Sequence, residues 1–276
     1  MRLTGTLFLH DLRVAARQPS TGLLIVVPPV VLTLLLLGFL PELLQVQGFT
    51  GGTVWILGSV AALSGFSTSA AVLLGFWDGY RTDRFRPYLS ARVRPRHIVS
   101  AFALVSLVLS LVVSLGVVLI AELVARFSAQ PTMTYAGWLR LTGALLLAAV
   151  FYTGLNLLAM TVVSSTGGLG MYFLIAGLLL GFLSFSFTVW LGSVVTATAA
   201  GLLPFAQIAV LVRHPLIEPI VAQAPQPESL DALLAVDIHL AGGAPWPAWL
   251  VALVLAAWTG VVAGLAVRRA VRQIRG

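Results

Sequence analysis

The best-spaced chemical groups in this sequence are His214 and Glu218, a histidine and a carboxylate four positions apart. On a helix this spacing would place both side chains on one face, and imidazole and carboxylate groups are common metal ligands. However, Pro215 and Pro219 fall in the same stretch and are expected to interrupt the helix that the spacing requires. We therefore predict that the chain has no metal site, no catalytic residue and no cofactor of its own.

Polar residues inside the apolar segments indicate helix contacts rather than catalysis. Asn156 is expected to hydrogen-bond between helices or, as the alternative, to contact a substrate. Glu122 and Arg126 are four residues apart and predict a helical ion pair. The centres of the apolar segments hold no ionisable residue, which argues against an intramembrane enzyme and a proton-coupled transporter. The residues considered for lining a path for an amphiphilic molecule are Ser67, Asn156, Phe182 and Phe185.

The composition is that of an integral membrane protein. Of 276 residues, 59% are hydrophobic and 9% are charged, whereas soluble domains contain about 25% charged residues. No segment has the composition of a soluble domain, so we predict a single transmembrane domain over residues 1–276. The sequence contains no lysine. A phosphate-binding loop of the Walker type requires one, so this chain cannot hydrolyse ATP by that machinery.

Six apolar segments are long enough to cross a membrane as helices, which takes about 20 residues each. Residues 191–212 qualify as a seventh by length, but they are rich in small and hydroxyl residues and contain Pro204. The six predicted spans are residues 22–40, 54–76, 98–122, 139–163, 168–190 and 246–267.

The arginines decide between six spans and seven, because positive residues near span ends favour the cytoplasmic side. With six spans and the N-terminus inside, thirteen of the sixteen arginines are cytoplasmic, and only Arg126, Arg140 and Arg213 lie outside. Both termini are therefore predicted to be cytoplasmic. The same clustering at span ends explains the net charge of +7 without any binding of nucleic acid.

Residues 191–212 then require another conformation. One interpretation is a re-entrant pair of half-helices shielded by protein. The other is a long, bent extension of the fifth span. Together with the following polar stretch, residues 191–245 form the predicted re-entrant and extracellular region.

Residues 1–19 predict an amphipathic helix. Apolar residues such as Leu7 and Leu12 share one face, and a basic face opposite them is typical of a helix that lies flat on a membrane surface. The basic face carries His10, Arg13 and Arg17.

Residues 77–97 form the most highly charged segment, with six arginines and two aspartates after the second span. Membrane orientation explains the arginines but not the aspartates, since acidic residues contribute little to orientation. A mixed-sign segment of this kind is suited to folding as a short amphipathic helix that docks on a charged cytoplasmic partner. The residues assigned to that docking are Asp78, Arg81, Asp83, Arg84 and Arg86.

The order of these features resembles the six-span permease subunits of type-2 ABC exporters. The amphipathic segment LFLHDLRVAARQPS precedes the first span, and the charged loop DGYRTDRFRPYLSARVRPRHIV follows the second. After the fifth span comes LLPFAQIAVLVRHPLIEPIVAQ, which is similar to the proline-marked re-entrant region of that family. The resemblance covers the whole chain in the order of its elements.

The resemblance implies an all-α membrane protein with six transmembrane helices, an N-terminal interface helix and a re-entrant segment before the last span. It implies a transport subunit rather than an enzyme, in the cytoplasmic (inner) membrane of a prokaryote and in contact with membrane lipid. A second permease chain would pair with it as a homo- or heterodimer. Separate ATP-binding subunits would carry ATP and Mg²⁺, and the loop at 77–97 would couple them to the spans. The alternative is a membrane binding or resistance protein that works without an ATPase.

Overall fold

The computed structural model describes Thr6, Leu7 and His10 together with residues 51–83, 85–90, 92–185, 203–223 and 246–275. Every regular element in these residues is a helix, in agreement with the predicted all-α class. The helices of the described ranges are α1 (Gly52–Arg81), α2 (Arg86–Ser90), α3 (Pro95–Phe127), α4 (Tyr135–Val162), α5 (Thr166–Phe185), α6 (Pro204–Val221) and α7 (Ala248–Arg275).

Four of these helices, α1, α3, α4 and α7, are long and apolar enough to cross a membrane. They correspond to four of the predicted spans, and α5 covers most of a fifth, 168–190. The predicted first span, 22–40, lies outside the described residues, as do 191–202 and 224–245 of the predicted re-entrant and extracellular region. The chain thus has the helices of a multi-pass membrane protein, as its composition predicted.

Helix α1 is the centre of the described bundle. Within its most apolar 18-residue window 94% of the residues are buried, against 28% for α3 and for α7. Helix α1 contacts α3, α4, α5 and α6. Helices α3 and α7 instead expose large apolar side chains such as Leu119 and Leu253, as expected of surfaces that face lipid. Any displacement of α1 must therefore involve its neighbours.

Small residues and hydroxyl groups hold α1 against α3. Ser64 Oγ lies 3.0 Å from Ser114 Oγ, and Ser110 Oγ donates to the Gly65 carbonyl oxygen at 3.0 Å. A Cβ on residue 65 would lie 3.3 Å from Ser114 Oγ, so glycine permits this close approach. Such contacts are characteristic of helix pairs in membranes, where small side chains let the backbones come together.

Helix α6 runs antiparallel to α4 along part of its length. The Phe205 ring near the start of α6 lies 5.7 Å from the Phe151 ring, between centroids, and Glu218 near the end of α6 binds Arg140 at 3.0 Å. Arg140 and Phe151 are about 16 Å apart along α4, at 1.5 Å per residue. Helix α6 therefore starts beside the middle of α4. We call the end of the bundle where α4 begins the Arg140 end, and the opposite end, where α2 lies, the loop end.

The predicted interruption at Pro215 and Pro219 is wrong, because α6 continues through both prolines. Each internal proline removes one backbone hydrogen bond. The helix is nevertheless buried along most of its length against α1, α4 and α7, and packing of this kind tolerates proline in membrane helices. The helical spacing of His214 and Glu218, which the sequence argument rejected, is therefore present.

Candidate functional site

One buried aromatic side chain, Phe85, holds the charged loop to the bundle. Phe85 is 6% exposed, and its ring lies 5.6 Å from that of Phe76 in α1 and 5.8 Å from that of Phe102 in α3, between centroids. Gly79 leaves room for this ring, because a Cβ there would lie 2.9 Å from Phe85 Cζ. The loop is therefore packed against both α1 and α3 through this ring.

A defined turn ends α2 and leads the chain into α3. The Arg92 N–H donates to the Leu89 carbonyl at 3.0 Å, and the Val93 N–H donates to the Tyr88 carbonyl at 3.0 Å. Arg92 has a φ of 59°, the left-handed conformation at which glycine commonly ends a helix. Tyr88, Leu89 and Val93 are half-buried and pack against the same apolar cluster as Phe85. The α2 segment is thus folded onto the bundle as one small unit.

Four of the five residues predicted to contact a partner are exposed around this unit: Asp78, Arg81, Asp83 and Arg86. Arg84 lies outside the described residues. Among the four described side chains, no ion pair joins one to another. These four side chains thus lie on the surface of the described bundle.

A hydrogen bond from Trp77 joins the C-terminal part of α1 to the end of α4. Its Nε1–H donates to the Val163 carbonyl oxygen at 3.3 Å. The Arg81 guanidinium lies over the Trp77 ring, with Cζ 4.8 Å from the ring centroid, which is within the range of a cation–π contact. Arg81 is consequently held close to the point where the loop leaves the bundle.

Of the predicted interface helix, residues 1–19, the structure describes Thr6, Leu7 and His10. Thr6 and His10 are exposed, whereas Leu7 is half-buried. Arg13 and Arg17 lie outside the described residues. The placement of this helix on the membrane surface stays a prediction.

Asn156 makes the inter-helix hydrogen bonds that were expected of it. The residue is fully buried, and its Nδ2 donates to the Phe66 carbonyl oxygen at 3.2 Å and to Ser69 Oγ at 3.0 Å, both in α1. Tyr172 in α5 donates its hydroxyl hydrogen to Asn156 Oδ1 at 2.8 Å. Asn156 thus joins three helices.

The other residues considered for a transport path are only partly described. Ser67 is half-buried and donates to the Ser64 carbonyl oxygen of its own helix at 3.0 Å. Phe182 and Phe185 belong to α5, but their side chains lie outside the described part of the chain. A path lined by these residues and Asn156 stays a prediction.

Arg213 was predicted only to lie on the outside, and the structure shows that its side chain is buried in the bundle. It is 1% exposed, its Nε–H donates to the Ala209 carbonyl at 3.2 Å, and its Cζ lies 5.2 Å from the centroid of the Trp55 ring in α1. Gly58 leaves space for the side chain, since a Cβ there would lie 3.2 Å from Arg213 Cγ. Burial follows from the continuation of α6 past the predicted end of the apolar segment. The sequence feature that could have indicated this burial is a single arginine in a mainly apolar stretch, AVLVRHPLI.

Glu122 is also buried near the Arg140 end, at 6% exposure. The predicted ion pair with Arg126 is present but long, with 3.8 Å between Arg126 Nη2 and Glu122 Oε1. The Met133 N–H, from the connection to α4, donates to Glu122 Oε2 at 3.5 Å. The analysis of apolar segments anticipated neither this buried carboxylate nor the buried Arg213.

Two helices bring three ionisable side chains together at the Arg140 end. Arg140 Nη2 donates to Glu218 Oε2 at 3.0 Å, and His214 Nδ1 lies 3.6 Å from the same oxygen. The side chains of Arg140 and Glu218 are each 47% exposed, so this pair is accessible to a ligand. Within the described ranges, no group of three or more side chains is arranged to hold a metal ion.

A groove of about 530 Å³ opens beside this ion pair, between α4, α6 and α7. Its volume falls in the range of about 300–1,000 Å³ typical of small-molecule sites. Arg140 and His214 are the polar side chains among its lining residues. The larger apolar side chains of its walls are Leu139, Leu147, Leu211, Pro215 and Trp249.

Comparisons of this chain with protein families, with curated proteins and with solved structures give no match.

Proposed function

We propose that this chain is the membrane-spanning permease subunit of an ATP-driven exporter of the type-2 ABC class. The observation that carries the proposal is the α2 segment, which Phe85 anchors to the bundle and around which the charges of Asp78, Arg81, Asp83 and Arg86 are exposed. Exposed charges of both signs on a firmly held element suit specific docking on a partner of complementary charge. A segment that only orients the chain needs neither the aspartates nor the buried aromatic anchor.

In this proposal, separate ATPase subunits bind at the loop end and carry ATP and Mg²⁺. Their closure displaces α2, and the Phe85 contacts pass that displacement to α1 and α3. Because α1 is the most buried of the four membrane-length helices, its movement alters the packing of the surrounding helices. The substrate pathway forms between two permease chains, as a homo- or heterodimer.

The proposed topology has six spans with both termini in the cytoplasm of a prokaryote, and residues 191–212 entering the membrane and turning back. Helix α6 is the returning helix in this scheme. The length and position of α6 support this scheme, because α6 has 18 residues, against 28 in α4, and starts beside the middle of α4. A bent extension of the fifth span remains the competing arrangement.

The test is co-purification with an ATPase chain encoded beside this one. We expect the two chains to purify together in detergent and the ATPase rate of the complex to differ from that of the isolated ATPase chain. No association, together with normal membrane insertion of this chain, would instead favour a membrane binding or resistance protein that works without an ATPase.

A further inference from the structure

We propose that the groove between α4, α6 and α7 binds a membrane phospholipid, with an acyl chain along its apolar walls and the phosphate on Arg140. The groove lies at the Arg140 end, away from α2, and the proposal does not depend on an ATPase partner. Three observations support a lipid as the occupant: the apolar lining, the charges at the rim, and the aromatic side chains beside it.

The groove is open to the surroundings along apolar edges. Leu139 and Trp249, one on each side, are 69% and 67% exposed. A water-soluble ligand would have to pass these side chains, whereas an acyl chain can enter laterally from the bilayer. A Cβ on Gly143, also in the lining, would meet nothing within 4 Å, so the groove has free space at that point.

The rim has the charges that a phosphate headgroup requires. Arg140 has five N–H donors, and within the described part of the chain its Nη2 donates to Glu218. Guanidinium groups bind phosphate oxygens through two parallel hydrogen bonds, which gives both strength and orientation. Glu218 competes with the phosphate for Arg140, so it should limit the affinity.

Two exposed aromatic residues, Tyr135 and Trp249, lie near the starts of α4 and α7 at the Arg140 end. Tyr135, at the start of α4, is 87% exposed, and Arg140 follows it by about 7–8 Å along the helix. Tyr and Trp are enriched at membrane–water interfaces, where headgroups lie. Tyr135 and Trp249 thus indicate that the Arg140 end lies near the headgroups of the surrounding leaflet, where Arg140 can contact a phosphate.

A second groove in the described bundle provides an internal comparison. It has a volume of about 310 Å³ and lies between α3, α4 and α7, where Gly154 in α4 approaches Ala263 in α7. Its lining contains no charged residue. Lipid acyl chains can cover this surface, but it offers nothing that selects a phosphate.

The experiment is native mass spectrometry of the purified full chain after removal of lipid and titration with phosphatidylglycerol. A glycolipid of the same acyl chains, without phosphate, serves as the reference lipid. We expect one phosphatidylglycerol to be retained preferentially. Arg140→Gln should lower its affinity about tenfold, the equivalent of a hydrogen bond to a charged group. Gly143→Phe should lower the affinity for both lipids, because it fills the groove without altering a charge.

Matched controls separate this site from general contact with lipid. Arg126→Gln removes an exposed arginine at the same end that does not line the groove, and Gly116→Phe adds bulk to α3 elsewhere. Both should bind as the unaltered chain does. An equal loss in Arg126→Gln, or no loss in Gly143→Phe, would overturn the proposal, and so would equal retention of the two lipids by the unaltered chain.

A variant that is expected to raise the affinity distinguishes loss of the site from misfolding. Glu218→Gln frees Arg140 from its carboxylate, so phosphatidylglycerol should bind more tightly than to the unaltered chain. A damaged fold would lower affinity instead. Weaker or unchanged binding in Glu218→Gln would contradict the assignment of the phosphate to Arg140.

Discussion

Gly79 and Phe85 lie so close together that a Cβ on residue 79 would stand 2.9 Å from Phe85 Cζ. Gly79 belongs to the last turns of the central helix α1, and Phe85 belongs to the charged loop. Their contact, completed by the rings of Phe76 and Phe102, fixes the position of α2 relative to the bundle. The described charged side chains of the loop between Asp78 and Arg86 are thus exposed, whereas its aromatic residue, Phe85, is packed against the bundle.

Replacing Gly79 by alanine is expected to displace Phe85 and loosen α2, because carbon atoms do not approach to 2.9 Å without a shift. Thermal unfolding should occur at a lower temperature, and amide exchange in residues 86–93 should be faster. The double variant Gly79→Ala/Phe85→Leu should lose less than the sum of the single variants, since the two changes share one contact. Gly116→Ala, where a Cβ meets nothing within 4 Å, is the matched control. Strictly additive effects would contradict the prediction.

Reversing single charges in the loop should weaken ATPase association and transport while leaving membrane insertion intact. Loss of one partner of a desolvated charge pair costs about 2–5 kcal/mol, whereas loss of a rim charge costs much less. Co-purification, transport and insertion are measured in parallel, with Arg126→Glu at the Arg140 end as the control. Near-normal association in all reversals would leave the loop as an orientation segment only. The reversals are Asp78→Arg, Asp83→Arg, Arg84→Glu and Arg86→Glu.

The predicted topology places residue 229 outside and residue 90 in the cytoplasm. The chain has no cysteine, so single cysteines can be introduced at Ser229 and Ser90 without a background. In intact cells, a membrane-impermeant maleimide should label the first and not the second. Labelling of Ser229→Cys from the cytoplasmic side alone would exclude six spans with both termini inside.

Apolar segments predicted the long helices well because burial in lipid depends mainly on local composition. The run at 54–76 lies inside α1, and the run at 98–122 lies inside α3. The ends of the helices were not predicted correctly, because the hydrogen-bonded backbone continues into the polar residues that follow. Asp78, for example, belongs to α1 rather than to a loop.

Contacts between distant segments were not predictable from local patterns. Arg213 is buried because Gly58 and Trp55, far away in sequence, accommodate it. Pro215 was expected to break a helix, but the packing of α6 against its neighbours, which no local pattern reports, outweighs the lost hydrogen bond. Phe85 stands among arginines in the sequence, and its burial depends on the space left by Gly79.

Asn156→Ala should lower the free energy of unfolding by roughly 2 kcal/mol. It removes three inter-helix hydrogen bonds, each worth on average about 0.6 kcal/mol in membrane proteins. Tyr172→Phe, which removes one of the three, should cost less. Thr142→Ala is the control, because the hydroxyl of Thr142 donates to the Trp138 carbonyl of its own helix. Unfolding in mixed micelles is the measurement, and unchanged stability with altered transport would assign Asn156 to the pathway instead.

Variants of the buried Arg213 separate the contribution of side-chain packing to stability from that of the charge. Arg213→Ala should lower the free energy of unfolding by about 2–5 kcal/mol, because it leaves a cavity between α1 and α6 and removes the contact with the Trp55 ring.

Arg213→Met should recover most of that loss, since it restores an apolar stem of similar length without burying a charge. Gly58→Ala should destabilise the unaltered chain, because its Cβ would lie 3.1 Å from Leu216 Cδ1 and 3.2 Å from Arg213 Cγ. In the Arg213→Ala background the same change should cost less, since one of the two neighbours is gone. The measurement is again unfolding in mixed micelles. A methionine variant as unstable as the alanine variant would show that the guanidinium itself, rather than the volume of the side chain, holds α6 against α1.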